Sequence, residues 1–353
     1  MLSQKTAVRP SLTVNLSNDA TFLEGSKGEF AVRTPLELGF IDDSTLILSY
    51  DNRTNFEEDP ALRNTFTVLS VSADSGVTLD RLQQDAPPGS SAATPTANGR
   101  FAVLSGTTLK LYAKDFRVER ERDVPPPVCS NILITPGDFV HLRCIYNRQR
   151  LDVSPDGRTL LIRSAATLPL FKWTWFESSS FRQIAEWTAA GNENFHAGDN
   201  EFIAERGRGR PNLVTEQANR SLGDACWRSH FVASNLRLES SDNSLELKDA
   251  SGAVIYRAKV NELTDELASS ANSSRFVYVT VSGFGVLPQI GHRKMHFRMH
   301  VCDWRNRREI AAFNYDAPID GPVIAAPDSA VAISPRGHVV VLLVGSSLMF
   351  FRI

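Results

Sequence analysis

One short motif, a strand followed by a tight turn and a second strand, recurs along the chain and limits the folds it can adopt. Residues 151–163 read LDVSPDGRTLLIR, in which Pro-Asp-Gly separates two strand-like runs. Proline sets φ at the first turn position, aspartate closes the turn through its side chain, and glycine accepts a positive φ. The pattern returns at residues 331–342 and, more loosely, at residues 92–104. Three copies of one supersecondary unit predict a repeat architecture.

A second hairpin follows each of these units. Its strands alternate between apolar and polar residues and meet at a turn rich in Asp, Ser and Gly, as in residues 68–76 and 245–252. Such alternation is typical of half-buried strands. Together the two hairpins define a unit of four antiparallel strands, which we label a to d. Seven such units follow from a–b turns placed near Asp43, Asn98–Gly99, Asp156–Gly157, Asp199, Ser234–Asn235, Ser273–Ser274 and Arg336–Gly337.

The two ends of the chain complement each other. The last unit has strands a, b and c, the last of these at residues 347–353, while residues 11–16 have the alternation of an outer strand. Pairing them would close a ring and leave only short exposed edges. We therefore predict an all-β fold class: a seven-bladed β-propeller of four-stranded antiparallel blades. It forms a single domain over residues 1–353, and the strand at 11–16 completes the last blade, residues 328–353. One short segment, residues 261–267, is the exception for which we expect a helical turn.

The turn motif resembles that of WD40-like propellers of the TolB/YVTN type, whose blades carry Ser-Pro-Asp-Gly-Arg/Lys before a β-branched strand. Residues 154–158 match it fully, residues 334–338 have Arg in place of Asp, and residues 96–100 keep only Gly-Arg. The Gly-His and Trp-Asp pairs of strict WD40 repeats are absent. The resemblance covers nearly the whole chain and implies a fold, not an activity.

Composition narrows the classes of partner. Hydrophobic residues make up 42% of the 353 residues, charged residues 22%, and the formal net charge is −2. This balance gives no overall attraction to nucleic acid or to anionic membranes, and no apolar run reaches the length of a membrane helix. We expect a monomer without a cofactor. No export signal is visible, which indicates a cytoplasmic protein by default and leaves a periplasmic or secreted one open if the start is trimmed. Cys129 and Cys144 could then form a disulfide.

The longest connections predict where a partner binds. Strand direction alternates within a blade, so the b–c and d–a connections share one face, and that face receives the insertions. An acidic segment from blade one and a basic one from blade six flank blade seven there. We predict that an unknown protein or peptide binds this face, with contacts from Asp51, Arg53, Phe56, Glu57, Glu58, Arg206, Arg208, Arg210, His292, Arg293 and Lys294. The alternative without a binding function is that the charged loops are solvated or pair with each other. For the Arg-Gly run, the alternative is an ordinary turn between strands b and c.

Other chemistry has weaker support in the sequence. A hydrolase or lyase at the mouth of the central channel is the alternative function, using His196 and Asp152 with His292 or Glu57. His300 and Cys302 share strand parity and could chelate a metal, but Arg298 on the same side opposes a cation. Trp173 and Trp175 could form an aromatic shelf with Phe171, although core packing explains them better. We therefore assign no catalytic, cofactor-binding or metal-binding residue.

Overall fold

The computed structural model describes most of the chain as strands and tight turns. It covers residues 9–16, 37–52, 65–85, 91–124, 150–165, 170–190, 194–198, 201–205, 211–215, 219–222, 228–233, 235–241, 244–260, 263–282, 293–319 and 329–353. Within these ranges no helix has the length and apolar character needed to cross a bilayer. Cys302 is a buried thiol. The pair Cys129 and Cys144 lies outside the described residues.

The described strands pair into seven four-stranded antiparallel sheets, numbered here by chain order of their a strands. Sheet one holds β2 (Glu37–Asp42), β3 (Thr45–Asn52), β4 (Thr65–Ser72) and β5 (Thr78–Asp85). Sheet two holds β6 (Ser91–Thr96), β7 (Arg100–Ser105), β8 (Thr108–Tyr112) and β9 (Val118–Asp123). Sheet three holds β10 (Arg150–Val153), β11 (Thr159–Ala165), β12 (Leu170–Glu177) and β13 (Gln183–Ala190). Sheet four holds β14 (Asn194–Ala197), β15 (Phe202–Glu205), β16 (Pro211–Val214) and β17 (Asn219–Ser221).

The remaining sheets follow the same order. Sheet five holds β18 (Arg228–Ala233), β19 (Leu236–Ser240), β20 (Ser244–Asp249) and β21 (Val254–Lys259). Sheet six holds β22 (Leu263–Ser269), β23 (Arg275–Ser282), β24 (Arg293–Asp303) and β25 (Arg308–Ile319). Sheet seven holds β26 (Ser329–Ile333), β27 (Val339–Val344), β28 (Ser347–Arg352) and, on its outer side, β1 (Leu12–Asn15). The expectation of a helical turn at residues 261–267 is wrong from Leu263 onward, because that residue and Leu267 pair with β23.

The sheets pack face to face around a central axis. The innermost strand of each sheet contacts that of the next along the chain, from β2 with β6 through to β22 with β26. This arrangement is an all-β propeller of four-stranded antiparallel blades. The predicted a–b turn residues that the structure describes lie between such an innermost strand and its neighbour. Asp199 and Ser234 lie outside the described residues. We call the side of the molecule that carries the a–b and c–d turns the turn face, and the opposite side, where b–c and d–a connections leave the strands, the loop face.

Burial on both faces explains why the central strands are continuously apolar. In β27, Val339, Val341 and Leu343 point into a cluster shared with sheet one, while Val340 and Leu342 point into a cluster shared with sheet six. Successive strand residues face opposite sides of a sheet, so a strand between two blades needs apolar residues at every position. Burial on both sides therefore explains why β27 reads VVVLLV, with an apolar residue at every position.

The interface between sheets four and five has an apolar cluster of its own. Among the described residues, this cluster contains Ile203, Leu213 and Phe231. Sheet five also carries a charged network on one face: Glu239 accepts hydrogen bonds from Arg237 Nε at 2.7 Å and from Lys248 Nζ at 2.6 Å. The Glu239 side chain is only 6% exposed. Low exposure strengthens these charge-assisted bonds and makes the loss of one partner costly.

The Ser-Pro-Asp-Gly motif has a specific internal structure. Ser154 Oγ accepts a hydrogen bond from Thr159 N at 3.0 Å and donates one to Asp156 Oδ1 at 2.6 Å. Gly157, at φ 73°, donates its N–H to the Ser154 carbonyl. In the second copy Ser334 Oγ likewise accepts from Val339 N at 3.1 Å, although Arg336 replaces the aspartate. The serine therefore fixes the start of strand b in both copies.

Candidate functional site

The residues predicted to contact a partner on the loop face are only partly described. Asp51 lies within β3, where it pairs with Phe66. Arg293 and Lys294 begin β24 and pair with Ile319 and Pro318. Placing these three in loops was wrong, because β3 and β24 extend further toward the loop face than their sequences suggest. The other candidates lie outside the described residues: Arg53, Phe56, Glu57, Glu58, Arg206, Arg208, Arg210 and His292.

The backbone nevertheless shows where the undescribed connections leave the sheets. The segment 53–64 joins the ends of β3 and β4, segment 206–210 joins β15 and β16, and segment 283–292 joins β23 and β24. In an antiparallel sheet the b–c and d–a connections emerge at the same end of the strands. All three segments therefore leave from the loop face, opposite the short a–b turns such as Asp43–Ser44.

A cavity of about 730 Å³ lies on the central axis and opens on the turn face. Its walls are the innermost strands, and the a–b turns surround its mouth. His230, on β18, is one of its lining residues. His230 was not among the candidate residues of the sequence analysis, since nothing in the local sequence marks where β18 begins.

Asp152, one of the two residues considered for catalysis, has a structural role. Its Oδ2 accepts a hydrogen bond from Ala197 N at 2.6 Å, and its Oδ1 accepts one from Val153 N at 2.9 Å. The first bond joins β10 of sheet three to β14 of sheet four. Both carboxylate oxygens thus accept hydrogen bonds from backbone amides, which fixes the position of the side chain between the two sheets. The side chain of His196 lies outside the described residues.

Carboxylates at the cavity mouth act as ties between neighbouring sheets. Asp43 of sheet one accepts a hydrogen bond from Arg336 N of sheet seven at 2.8 Å and lies 3.2 Å from the Arg336 guanidinium. Asp42 pairs with Lys114 Nζ of sheet two at 2.7 Å. Partial burial favours a higher pKa for Asp42, but hydrogen bonds from Lys114 and Ser44 outweigh it and hold that pKa below its ordinary value. These carboxylates of the mouth are therefore already paired.

His300 and Cys302, the two residues considered as metal ligands and not assigned, make other contacts within sheet six. His300 stacks on Tyr278 with ring centroids 4.5 Å apart, and its Nδ1 lies 2.8 Å from Glu309 Oε2. Its Nε2 lies 3.1 Å from Thr280 Oγ1. Cys302 is fully buried, and its sulfur lies 3.3 Å from the Tyr256 hydroxyl. Both imidazole nitrogens of His300 thus have partners. Burial, followed by the nearby Cys302, raises the pKa of the Tyr256 hydroxyl.

The tryptophans at 173 and 175 belong to the core, as their strand pattern favoured. Trp173 is fully buried and stacks on Phe202 of sheet four, with ring centroids 4.9 Å apart. Trp175 meets the same ring edge-on at 5.5 Å. These aromatic side chains fill the wedge between sheets three and four. The side chain of Phe171, the third residue of the proposed shelf, lies outside the described residues.

Comparison with known proteins gives a fold and not a family. No family model matches the chain, and no curated protein matches it. Solved structures do. A chain of the mitotic checkpoint complex is 11% identical with a TM-score of 0.55, and the match covers 100% of this chain and 94% of that one. The WD40 domain of Pan2 from Neurospora crassa is 8% identical with a TM-score of 0.55, over 99% and 97% of the two chains.

A third neighbour is BBS1N in its complex with ARL6DN, at 9% identity and a TM-score of 0.55 over 99% of this chain and 97% of that one. The common feature is the WD40 propeller. At such low identity the similarity establishes the fold alone. Fold and function are separable, because one fold hosts many unrelated functions.

Proposed function

We propose that the chain is a single seven-bladed propeller whose ring is closed by pairing residues 11–16 with the last blade. Backbone pairing of β1 with β28, from Leu12 with Phe350 to Asn15 with Ser347, supports the closure. Contacts of β26 with both β2 and β22 support it further, since they place sheet seven between sheets one and six. The Ser-Pro-Asp-Gly turns support the likeness to TolB/YVTN-type blades.

We propose that this ring binds a protein or peptide through its loop face and catalyses no reaction. The observation that carries the proposal is the asymmetry of the connections. The a–b turns are tight and tied together by hydrogen bonds such as Ala97 N to Gly157 O at 2.9 Å. Segments 53–64, 206–210 and 283–292 leave the opposite face. Long connections on a rigid scaffold are the usual place of recognition.

Two further observations favour binding over catalysis. Two of the structural neighbours were solved in protein assemblies, the checkpoint complex and BBS1N with ARL6DN. Both oxygens of Asp152 accept backbone hydrogen bonds, which leaves this carboxylate poorly suited to act as a general base. We therefore propose contacts from Asp51, Arg53, Phe56, Glu57 and Glu58 on blade one, Arg206, Arg208 and Arg210 on blade four, and His292, Arg293 and Lys294 on blade six.

Site-specific photocrosslinking in the source cells tests the binding face. A benzophenone amino acid replaces Phe56 on the loop face or, as the matched control, Val77, which is 58% exposed on the turn face. We expect one discrete protein adduct from position 56 and none from position 77. The adduct should weaken when Arg293 and Lys294 are both changed to Glu. No adduct from position 56, or the same adduct from both positions, would contradict the proposed face.

A further inference from the structure

One conformation recurs in the c–d turns of the propeller. In sheets one, two, three, five and six a residue of this turn adopts a left-handed backbone: Gly76 (φ 70°), Phe116 (60°), Phe181 (56°), Gly252 (88°) and Arg307 (51°). In each case its N–H donates to a carbonyl a few residues earlier, as Arg307 N does to Trp304 O at 3.3 Å. Glycine adopts this conformation without strain, whereas a residue with a Cβ atom does not.

Packing offsets that strain in two of the turns but not in the turn of sheet six. The ring of Phe116 packs against Phe101 with centroids 4.9 Å apart, and Phe181 is 2% exposed. The side chain of Arg307 is exposed. A strained residue without a packing role is a sign of function, because strain persists where the side chain is needed for another purpose.

Arg307 belongs to a cluster of exposed arginines at this turn, with Arg305 and Arg308. The two nearby carboxylates contact other groups than the guanidinium groups of these three arginines. Asp303 is buried and accepts hydrogen bonds from Ser274 Oγ at 2.7 Å and from the backbone N–H of Arg305 at 3.1 Å. Glu309 instead lies 2.8 Å from His300 and 3.6 Å from Arg298.

In the c–d turns of sheets two and three, the exposed arginines lie close to carboxylates. Arg117 lies 3.4 Å from Glu119, and Arg182 lies 3.5 Å from Glu177. Within the part of the chain that the structure describes, Arg305, Arg307 and Arg308 have no such carboxylate partner. The turn of sheet six thus concentrates positive charge on the turn face of a chain with a net charge of −2.

We propose that this arginine turn is a second binding site, which takes an acidic peptide segment of a partner protein. Guanidinium groups bind carboxylates through paired, charge-assisted hydrogen bonds, and a rigid turn lowers the entropy lost on binding. Asp303 supplies that rigidity by holding the backbone of the turn. A peptide fits better than nucleic acid because the guanidinium of Arg305 covers the Trp304 ring, 5.2 Å from its centroid, and occupies a face on which a base would stack.

Fluorescence polarisation with a labelled oligoglutamate peptide tests the site on the full chain. We expect binding that weakens with added NaCl and that falls by about tenfold for each arginine removed, among Arg305→Ala, Arg307→Ala and Arg308→Ala. The matched control is Arg117→Ala with Arg182→Ala, two exposed arginines of equivalent turns that already have carboxylate partners. This control should bind the peptide as the parent chain does.

The variant Arg307→Gly distinguishes an effect on peptide binding from an effect on stability. Glycine relieves the left-handed strain, so this variant should unfold at a higher urea concentration than the parent and yet bind the peptide more weakly. Equal peptide binding by Arg307→Gly and parent, an equal loss in the Arg117/Arg182 control, or no binding by the parent would overturn the proposal. Tighter binding of a single-stranded oligonucleotide than of oligoglutamate would overturn the choice of a peptide. The photocrosslink from position 56 should persist in all these variants, so the two sites can fail independently.

Discussion

The contact between the a–b turns of sheets two and three gives the sharpest prediction about stability. A Cβ atom at Gly157 would clash with Ala97 N and would lie 2.9 Å from Thr96 C, both backbone atoms of the neighbouring turn. Gly157 also has φ 73°, and its carbonyl accepts hydrogen bonds from Ala97 N at 2.9 Å and Ser178 Oγ at 2.7 Å. Gly157→Ala should therefore push the two turns apart.

The expected loss can be compared with a matched glycine. Left-handed alanine costs about 1–2 kcal/mol, the overpacking about 1–3 kcal/mol, and a weakened hydrogen bond about 1 kcal/mol, so Gly157→Ala should destabilise by roughly 3–6 kcal/mol. Gly99 has nearly the same φ, 72°, but a Cβ atom at that position would meet nothing within 4 Å beyond its own chain neighbours. Gly99→Ala should cost only the left-handed term of about 1–2 kcal/mol.

Urea denaturation followed by tryptophan fluorescence measures both variants against the parent. Gly157→Ala should lower the free energy of unfolding clearly more than Gly99→Ala does. Equal losses would refute the close approach of the two turns, because the backbone strain is the same at both positions and only the contact differs.

Three further predictions concern buried polar groups. Glu239→Ala should lower the free energy of unfolding by about 3–5 kcal/mol, since it leaves the nearly buried Arg237 without its carboxylate. Adding Arg237→Ala should restore most of that loss if the two side chains are paired. Ser154→Ala should cost about 1–2 kcal/mol in the same urea assay, because Thr159 N loses its acceptor. Burial favours a higher pKa for Asp303, but hydrogen bonds from Ser274 and Asn306 outweigh it and hold that pKa below its ordinary value. Its stabilising effect is thus full above the unfolded-state pKa of about 3.9 and is lost as pH falls through the lower folded-state pKa. The urea midpoints of Asp303→Asn and the parent should therefore differ at pH 7, and the difference should begin to shrink only as pH falls below about 4.

Local sequence signals predicted the turns, because the conformation of a tight turn depends on its own residues. Asn98–Gly99 and Pro155–Asp156–Gly157 each carry the residue types that their turns need, and both lie between paired strands. The strand–turn–strand pattern of residues 331–342 likewise corresponds to β26, a tight turn and β27. These features were enough to predict an all-β propeller.

Contacts between sheets had no such signal. Nothing in the local sequence indicates that Asp43 meets Arg336 across the chain, or that Asp152 holds the backbone of Ala197. Strand ends were missed for the same reason. Arg293 is polar and precedes a basic residue, which favours a loop, yet it is the first residue of β24 because its backbone pairs with Ile319. The left-handed backbone of Arg307 became visible only by comparison with the equivalent turns.

The closure of the ring by the two chain ends is the central claim, and one engineered disulfide tests it directly. Leu16 N donates to Ser346 O at 2.8 Å, so the adjacent pair Asn15 and Ser347 is a non-hydrogen-bonded pair, with Cα atoms about 4.5 Å apart. That spacing suits a disulfide. We predict that Asn15→Cys with Ser347→Cys, in a chain with Cys129, Cys144 and Cys226 changed to Ser, oxidises rapidly to one intramolecular crosslink seen by peptide mass spectrometry. The control Asn15→Cys with Ser251→Cys, an exposed position on sheet five, should remain reduced. A crosslink that fails to form in the first pair, or that forms equally in both, would contradict the closed ring.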